Sequence, residues 1–236
     1  MNDIINQPIN YPSTSIDMIK LLVIKDWQIY QKQLAAYVAG LLLALSLVGM
    51  GKPWSFAVGS LLLLVLLIVI GQFLIQTSLV TERKEQTVPF IMSLPVSPMD
   101  FYWGKLLANL AIYLVPFTLV AGGSAALVLT TPLPDGLLVP FLLVFCFLLM
   151  TFCMTLCIAI AVESEAWIMF TMMALMTLIG PYIYGIGRIA AIGTNLNTNN
   201  IVWSAPAVGL LAGELIVIAI VLGVTSWIHS RKTSFL

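Results

Sequence analysis

The sequence predicts an all-α integral membrane protein: six transmembrane helices, an N-terminal amphipathic helix lying in the membrane interface, and an external re-entrant hairpin before the last span. Three observations lead there. Of the 236 residues, 61% are hydrophobic and only 8% are charged, with a mean hydropathy of +1.06. A soluble domain carries about 25% charged residues, so this chain has too little polar surface to cover a water-soluble globule. The apolar residues are also gathered into six charge-poor runs, at 34–50, 54–80, 106–130, 137–162, 166–187 and 207–228. Each is close to or above the ~17 residues a helix needs to cross a bilayer. Finally, with both termini in the cytoplasm, Lys20, Lys25, Lys32, Arg83, Lys84, Lys105, Arg231 and Lys232 face inward, leaving Lys52 and Arg188 outside. The opposite orientation inverts that ratio, and basic residues favour the cytoplasmic side.

The elements follow in order. Residues 1–33 form a cytoplasmic N-terminus. Within it, residues 16–32 gather Asp17, Lys20, Lys25, Gln28, Gln31 and Lys32 on one helical face, with Ile19, Leu22, Val23, Trp27 and Tyr30 among those on the other. Asp26 breaks the pattern by falling among the apolar residues. Ser13 to Ser15 are N-cap candidates. The separation of faces predicts an amphipathic helix with Trp27 and Tyr30 at headgroup depth; a plain extension of the first span is the other reading.

The six-helix domain occupies 34–228, and 229–236 is a cytoplasmic tail. Pro116 with Gly122-Gly123, and Gly180-Pro181, are expected kinks, which neighbouring helices tolerate in a membrane. The 188–206 segment, with an Asn-rich tip between apolar flanks, predicts the external hairpin. Cys146, Cys153 and Cys157 fall at helical spacing on one face and read as small apolar filler. The methionines from Met150 to Met176 lack a companion histidine; a soft-metal site is the minor reading for them. The zero net charge gives no indication of a nucleic-acid partner.

The densest charge in the chain lies in the 81–105 loop, which opens on Glu82-Arg83-Lys84-Glu85-Gln86-Thr87 and closes on Pro95-Val96-Ser97-Pro98. Between them runs an apolar stretch with Val88, Phe90, Ile91, Met92 and Leu94. A charged entry, a short apolar helix and a proline-bounded exit suit an element that docks in a partner's groove; a solvated loop with a short interfacial helix is the alternative.

The run from Glu82 to Thr87, then Ser93-Leu94-Pro95-Val96-Ser97, then Gly104-Lys105-Leu106, resembles the signature of type-two ABC transporter permeases. Gln86 stands where that family commonly has Gly. The six spans, amphipathic start and long last external segment are similar to the family across nearly the whole chain. The resemblance implies the transmembrane subunit of an ATP-driven exporter in a bacterial or archaeal cytoplasmic membrane. It implies a separate ABC ATPase subunit as partner, two permease chains per unit as a homodimer or heterodimer, and the 81–105 loop as the coupling helix. Carried over, the coupling residues are Glu82, Arg83, Glu85, Thr87, Pro95 and Ser97. ATP and Mg²⁺ then belong to the partner and no cofactor to this chain. In keeping with that division, the sequence holds no G-x-x-x-x-G-K-[ST] loop to cradle nucleotide phosphates. An amphiphilic cargo suits the apolar walls.

Glu214 interrupts the last apolar run, and a carboxyl inside a membrane is a functional candidate because it costs about 2.5–3.5 kcal/mol to insert there. It is expected to face a substrate path, to pair with Arg188, or to bond a neighbouring helix. Two rival functions stay open at this point. One is a secondary transporter using Glu214; the other is a non-transporting membrane scaffold or assembly component.

Overall fold

The computed structural model describes residues 15–84, 98–162 and 164–231. Among them the chain is helical throughout, without strands, and six helices are long and apolar enough to cross a membrane. Helix α1 is Ser15–Gly49, α2 is Pro53–Ile75 and α3 is Pro98–Thr130. Helix α4 is Leu138–Ala161, α5 is Glu165–Thr177, α6 is Ile179–Arg188, α7 is the single turn Ala190–Gly193, and α8 is Ala205–Ser230.

Helix α1 differs from expectation in one respect. Residues 16–32 are helical, but they are the first half of a single 35-residue helix and not a separate element. No helix-breaking residue separates the polar segment from the apolar one, so the backbone hydrogen bonding has no reason to stop. The first span accordingly reaches back to Val23. Farther along, Leu34, Leu41, Ala44, Leu45 and Val48 are buried, at the three- and four-residue spacing of one helix face. That face meets α2 where Gly59 lies against Ala44 and Val48. A Cβ on Gly59 would come within 2.8 Å of the Val48 backbone nitrogen, so the small residue lets the two backbones touch.

Helix α2 does not end as an ordinary α-helix. Gln76–Thr81 is a π-helical turn, followed by one further α turn at Glu82–Lys84. The Thr81 hydroxyl donates to the Gln76 carbonyl five residues back, at 3.1 Å. The wide turn carries Ser78, Leu79 and Val80 all into the interior, which three successive residues of a tight helix cannot do on one face. Helix α3 runs through Pro116 without interruption. In the fifth span the helix does break, at Leu178, just before Gly180-Pro181.

Helix α4 is the centre of the bundle: 56% of its apolar window is buried, against 11% for α8 at the periphery. Tyr113 of α3 stacks on Phe152 of α4 at 3.9 Å over Gly71 of α2. All three cysteines are free and buried along α4.

The helices alternate, so the start of α1, the end of α2, the starts of α3 and α5, and the ends of α4 and α8 share one end of the bundle. At the opposite end, the turn before α4 rests on the segment after α7. The Gly136 amide donates to the Thr198 carbonyl at 2.9 Å, and Asn195 presses so close that no side chain fits on Gly136. Ile192 of that segment is buried against a small cluster with Val139, Leu143 and Ala207.

Candidate functional site

The first-named end of the bundle holds a buried charge cluster. Asp26 projects from the face of α1 that packs inward, and Lys105 from the second turn of α3. Both are 1% exposed. Lys105 Nζ lies 3.2 Å from Asp26 Oδ2 and 2.6 Å from Glu82 Oε2. Lys25 closes the group from the outside, 3.3 Å from Glu82 Oε1 and 3.9 Å from Asp26 Oδ1. Among the described side chains the cluster joins two cations, Lys25 and Lys105, to two anions, Asp26 and Glu82.

Close pairing of opposite charges is what makes this burial tolerable. Removing one charge from water costs several kcal/mol, and only close partners offset it. One α3 turn deeper the network continues with uncharged groups. Asn109 Nδ2 donates to Ser78 Oγ in the π turn at 3.0 Å and to the Lys105 carbonyl at 2.9 Å. The π turn supplies Ser78 to this layer, and the α turn that follows it supplies Glu82 to the ionic layer above. Asp26 Oδ1 and Asn109 Oδ1 accept no hydrogen bond from the described residues.

Two contacts extend the frame. Lys84 pairs with Glu165 at 2.8 Å, joining the end of the α2 extension to the start of α5. This pair is exposed and is worth at most about 1 kcal/mol. Tyr102 of α3 stacks on His229 near the end of α8, with ring centres 4.7 Å apart.

The result is a junction in which Glu82 at the end of the α2 extension and Lys105 in the second turn of α3 are bonded to each other, and both sides to α1 through Asp26 and Lys25. A displacement of Glu82 cannot leave Lys105 and Asp26 unmoved without exposing a bare buried charge. The arrangement transmits position; it has no paired nucleophile and base, and no group of three or more metal-ligating side chains is found among the described residues.

Of the residues expected from sequence to couple to a partner, Glu82 belongs to this junction. Arg83 sits beside it in the helical turn, while Glu85, Thr87, Pro95 and Ser97 lie outside the described residues. The junction's other members, Asp26, Lys25, Ser78 and Asn109, were not anticipated. Asp26 did carry a signal: a carboxylate on the apolar face of an amphipathic helix needs a buried partner.

Glu214 lies on the inward face of α8 and is 5% exposed. It accepts a hydrogen bond from the Tyr182 hydroxyl of α6, and the Cys146 thiol of α4 adjoins the same carboxyl. The Tyr182 ring stacks on Phe147 at 4.0 Å, which fixes its hydroxyl toward Glu214. Of the roles open to Glu214 from the sequence, the structure shows the bond to a neighbouring helix and not the pairing with Arg188. Arg188 ends α6 on its exposed side, donates from Nε to the Tyr184 hydroxyl at 2.8 Å, and lies over that ring. The physical reason is depth: Tyr182 is level with Glu214, whereas Arg188 lies nearer the helix end, where water solvates it.

No protein-family model matches this chain, and neither the curated proteins nor the solved structures include a significant match to it.

Proposed function

We propose that this chain is the transmembrane permease subunit of an ATP-driven ABC exporter. In this reading it pairs with a second permease chain and with separate ATPase subunits, and it moves an amphiphilic or hydrophobic substrate across the cytoplasmic membrane. Both termini and the 81–105 loop face the cytoplasm, where the basic residues concentrate. The start of α1, before its span begins at Val23, lies at the cytoplasmic membrane face. The 188–206 segment folds back into the outer leaflet.

One observation carries the reading. The two roots of the loop that resembles a coupling helix, Glu82 and Lys105, are ion-paired to each other, and Lys105 to Asp26 of α1. A partner that pushes on the loop therefore moves α1, α2 and α3 together. A rigid transfer of motion of this kind is what an alternating-access transporter driven from outside its own chain requires.

The test is purification of the full chain in mild detergent from its native host. A nucleotide-binding subunit is expected to accompany wild type and to be lost, or to hydrolyse ATP without transport, with Glu82→Ala/Arg83→Ala. Thermal unfolding of the same variant in detergent distinguishes a docking defect, which leaves Tm unchanged, from a folding defect. Absence of any ATPase under all conditions overturns the permease reading.

A second reading is favoured by the burial of Glu214 beside Tyr182: a stand-alone transporter driven by a proton gradient. In that case transport by vesicles holding this chain alone collapses with an uncoupler and is abolished by Glu214→Gln.

A further inference from the structure

The break in the fifth span falls near the middle of Glu165–Arg188. There the Leu178 amide turns to the Leu175 carbonyl at 3.3 Å, and helical bonding resumes where the Tyr182 amide donates to the Leu178 carbonyl at 3.0 Å. The bonds between, which Ile179, Gly180 and Pro181 would donate to Leu175, Met176 and Thr177 in a continuous helix, are missing. Pro181 has no amide hydrogen to give. Backbone left open at this depth must find other partners, because hydrocarbon offers none.

Leu175, Met176 and Ile179, from both sides of the break, line a cavity of about 40 Å³ against α2, α3 and α4. Its facing walls carry Gln72, Tyr113, Thr151 and Thr155. Tyr113 is 1% exposed, and its hydroxyl bonds to no described residue. Yet its oxygen is not sealed off, as those of Ser124 and Ser204 are. What remains accessible of it therefore opens on the cavity. Gln72 is placed similarly. Its Nε2 donates to Met176 Sδ at 2.9 Å, a weak acceptor, and its Oε1 has no described partner and is not sealed either. Thr151 and Thr155 donate to carbonyls of their own helix, which leaves their oxygens free to accept.

Size, charge and depth decide what fills the cavity. A water needs about 10–15 Å³ of such space and about two to four polar partners, whereas benzene takes roughly 150 Å³. No charged side chain lines the cavity, so an ion finds no counter-charge there. Gln72 lies five residues past the middle of Pro53–Thr81, and Thr151 three past the middle of Asp135–Ala161. These offsets put them about 8 Å and 5 Å from mid-membrane, deeper than lipid headgroups lie. We infer that this cavity binds water, about one to three molecules, held by Gln72, Tyr113, Thr151 and Thr155, and that these waters complete the open backbone of the break. The fifth span thereby has a wet hinge. Its halves α5 and α6 change their mutual angle by exchanging bonds with water, without leaving a bare carbonyl in hydrocarbon. The site needs no ATPase, so the inference stands apart from the permease reading.

The test is X-ray hydroxyl-radical footprinting of the full chain in lipid nanodiscs, read by mass spectrometry. Radiolysis makes the radical from water in place, so a methionine inside the membrane is oxidised only where water adjoins it. Met172 and Met176 line the cavity, Met173 faces outward into lipid, and Met50 lies at the turn after α1. Met172 and Met176 are expected to oxidise well above Met173. Tyr113→Phe, which keeps the ring on Phe152, is expected to lower their oxidation roughly fivefold, the equivalent of about one hydrogen bond. Gln72→Leu/Tyr113→Phe is expected to bring it down to that of Met173, with Met50 unchanged throughout. A rise at Met173 reports misfolding of the double variant, in which case Tyr113→Phe alone decides. Hydrogen exchange is the second readout: the Ile179 and Gly180 amides are expected to exchange in wild type and more slowly in Tyr113→Phe. Met172 and Met176 as inert as Met173, oxidation indifferent to Tyr113→Phe, or exchange at Ile179 and Gly180 as slow as in the unbroken α4 would each overturn the inference.

Discussion

At the residue scale, Lys105 is the position on which most depends. Its ammonium balances two carboxylates where water does not reach. Lys105→Ala is expected to cost about 3–5 kcal/mol, because it strands Asp26. Asp26→Leu/Lys105→Met, which removes the buried pair together, is expected to recover most of that loss while leaving Glu82 with Lys25. Thermal unfolding of the single and double variants in detergent measures the coupling directly. Should the double variant unfold as easily as the single one, the ion pair is not what holds this junction. A smaller effect is expected inside the membrane, where Tyr182→Phe deprives Glu214 of its donor and costs about 1–3 kcal/mol.

At the scale of elements, the α1–α2 contact is set by the absence of a side chain at Gly59. A valine there would meet Val48 and the Ala44 carbonyl, backbone atoms that cannot turn aside. Gly59→Val is expected to destabilise the protein by about 1–3 kcal/mol, read as a lower melting temperature. Gly209, which has open space around it, serves as the control for the same substitution. The π turn is the other decisive element. It carries Ser78 to the Asn109 layer of the junction, and the α turn after it carries Glu82 to the ionic layer; such turns often occur at functional positions.

At the scale of the whole molecule, the distribution of exposed apolar side chains shows where lipid or a second subunit must lie. Trp167, Phe170, Met173 and Tyr184 of the fifth span and Ile216, Ile220 and Trp227 of α8 are all exposed. A surface of this kind does not persist in water. The proposed orientation makes its own prediction. In cells carrying variants with the native cysteines replaced, a membrane-impermeant thiol reagent is expected to label Lys52→Cys and Asn199→Cys from outside. Lys84→Cys is expected to react only after permeabilisation. The reverse pattern overturns the orientation.

What was legible in the sequence was whatever depends on local composition and periodicity. The six spans follow from runs of apolar side chains long enough to cross a bilayer, and each was found within a few residues of its expected place, except the first, which begins earlier. A break in the fifth span was announced by Gly180-Pro181. Glu214 stood out because a carboxyl in an apolar run is expensive wherever its partner lies. Partner identity was another matter. A bond to a neighbouring helix was one of the roles open to Glu214, but that its partner is Tyr182 and not Arg188 follows only from helix rotation. The Asp26–Lys105 pair spans 79 residues of chain, and only packing of α1 against α3 closes that distance. Composition and period therefore determined which solvent this protein lives in and how many times it crosses it. Tertiary structure alone decided which buried charges meet, since that depends on the rotation and register of whole helices, to which no single segment's pattern is sensitive.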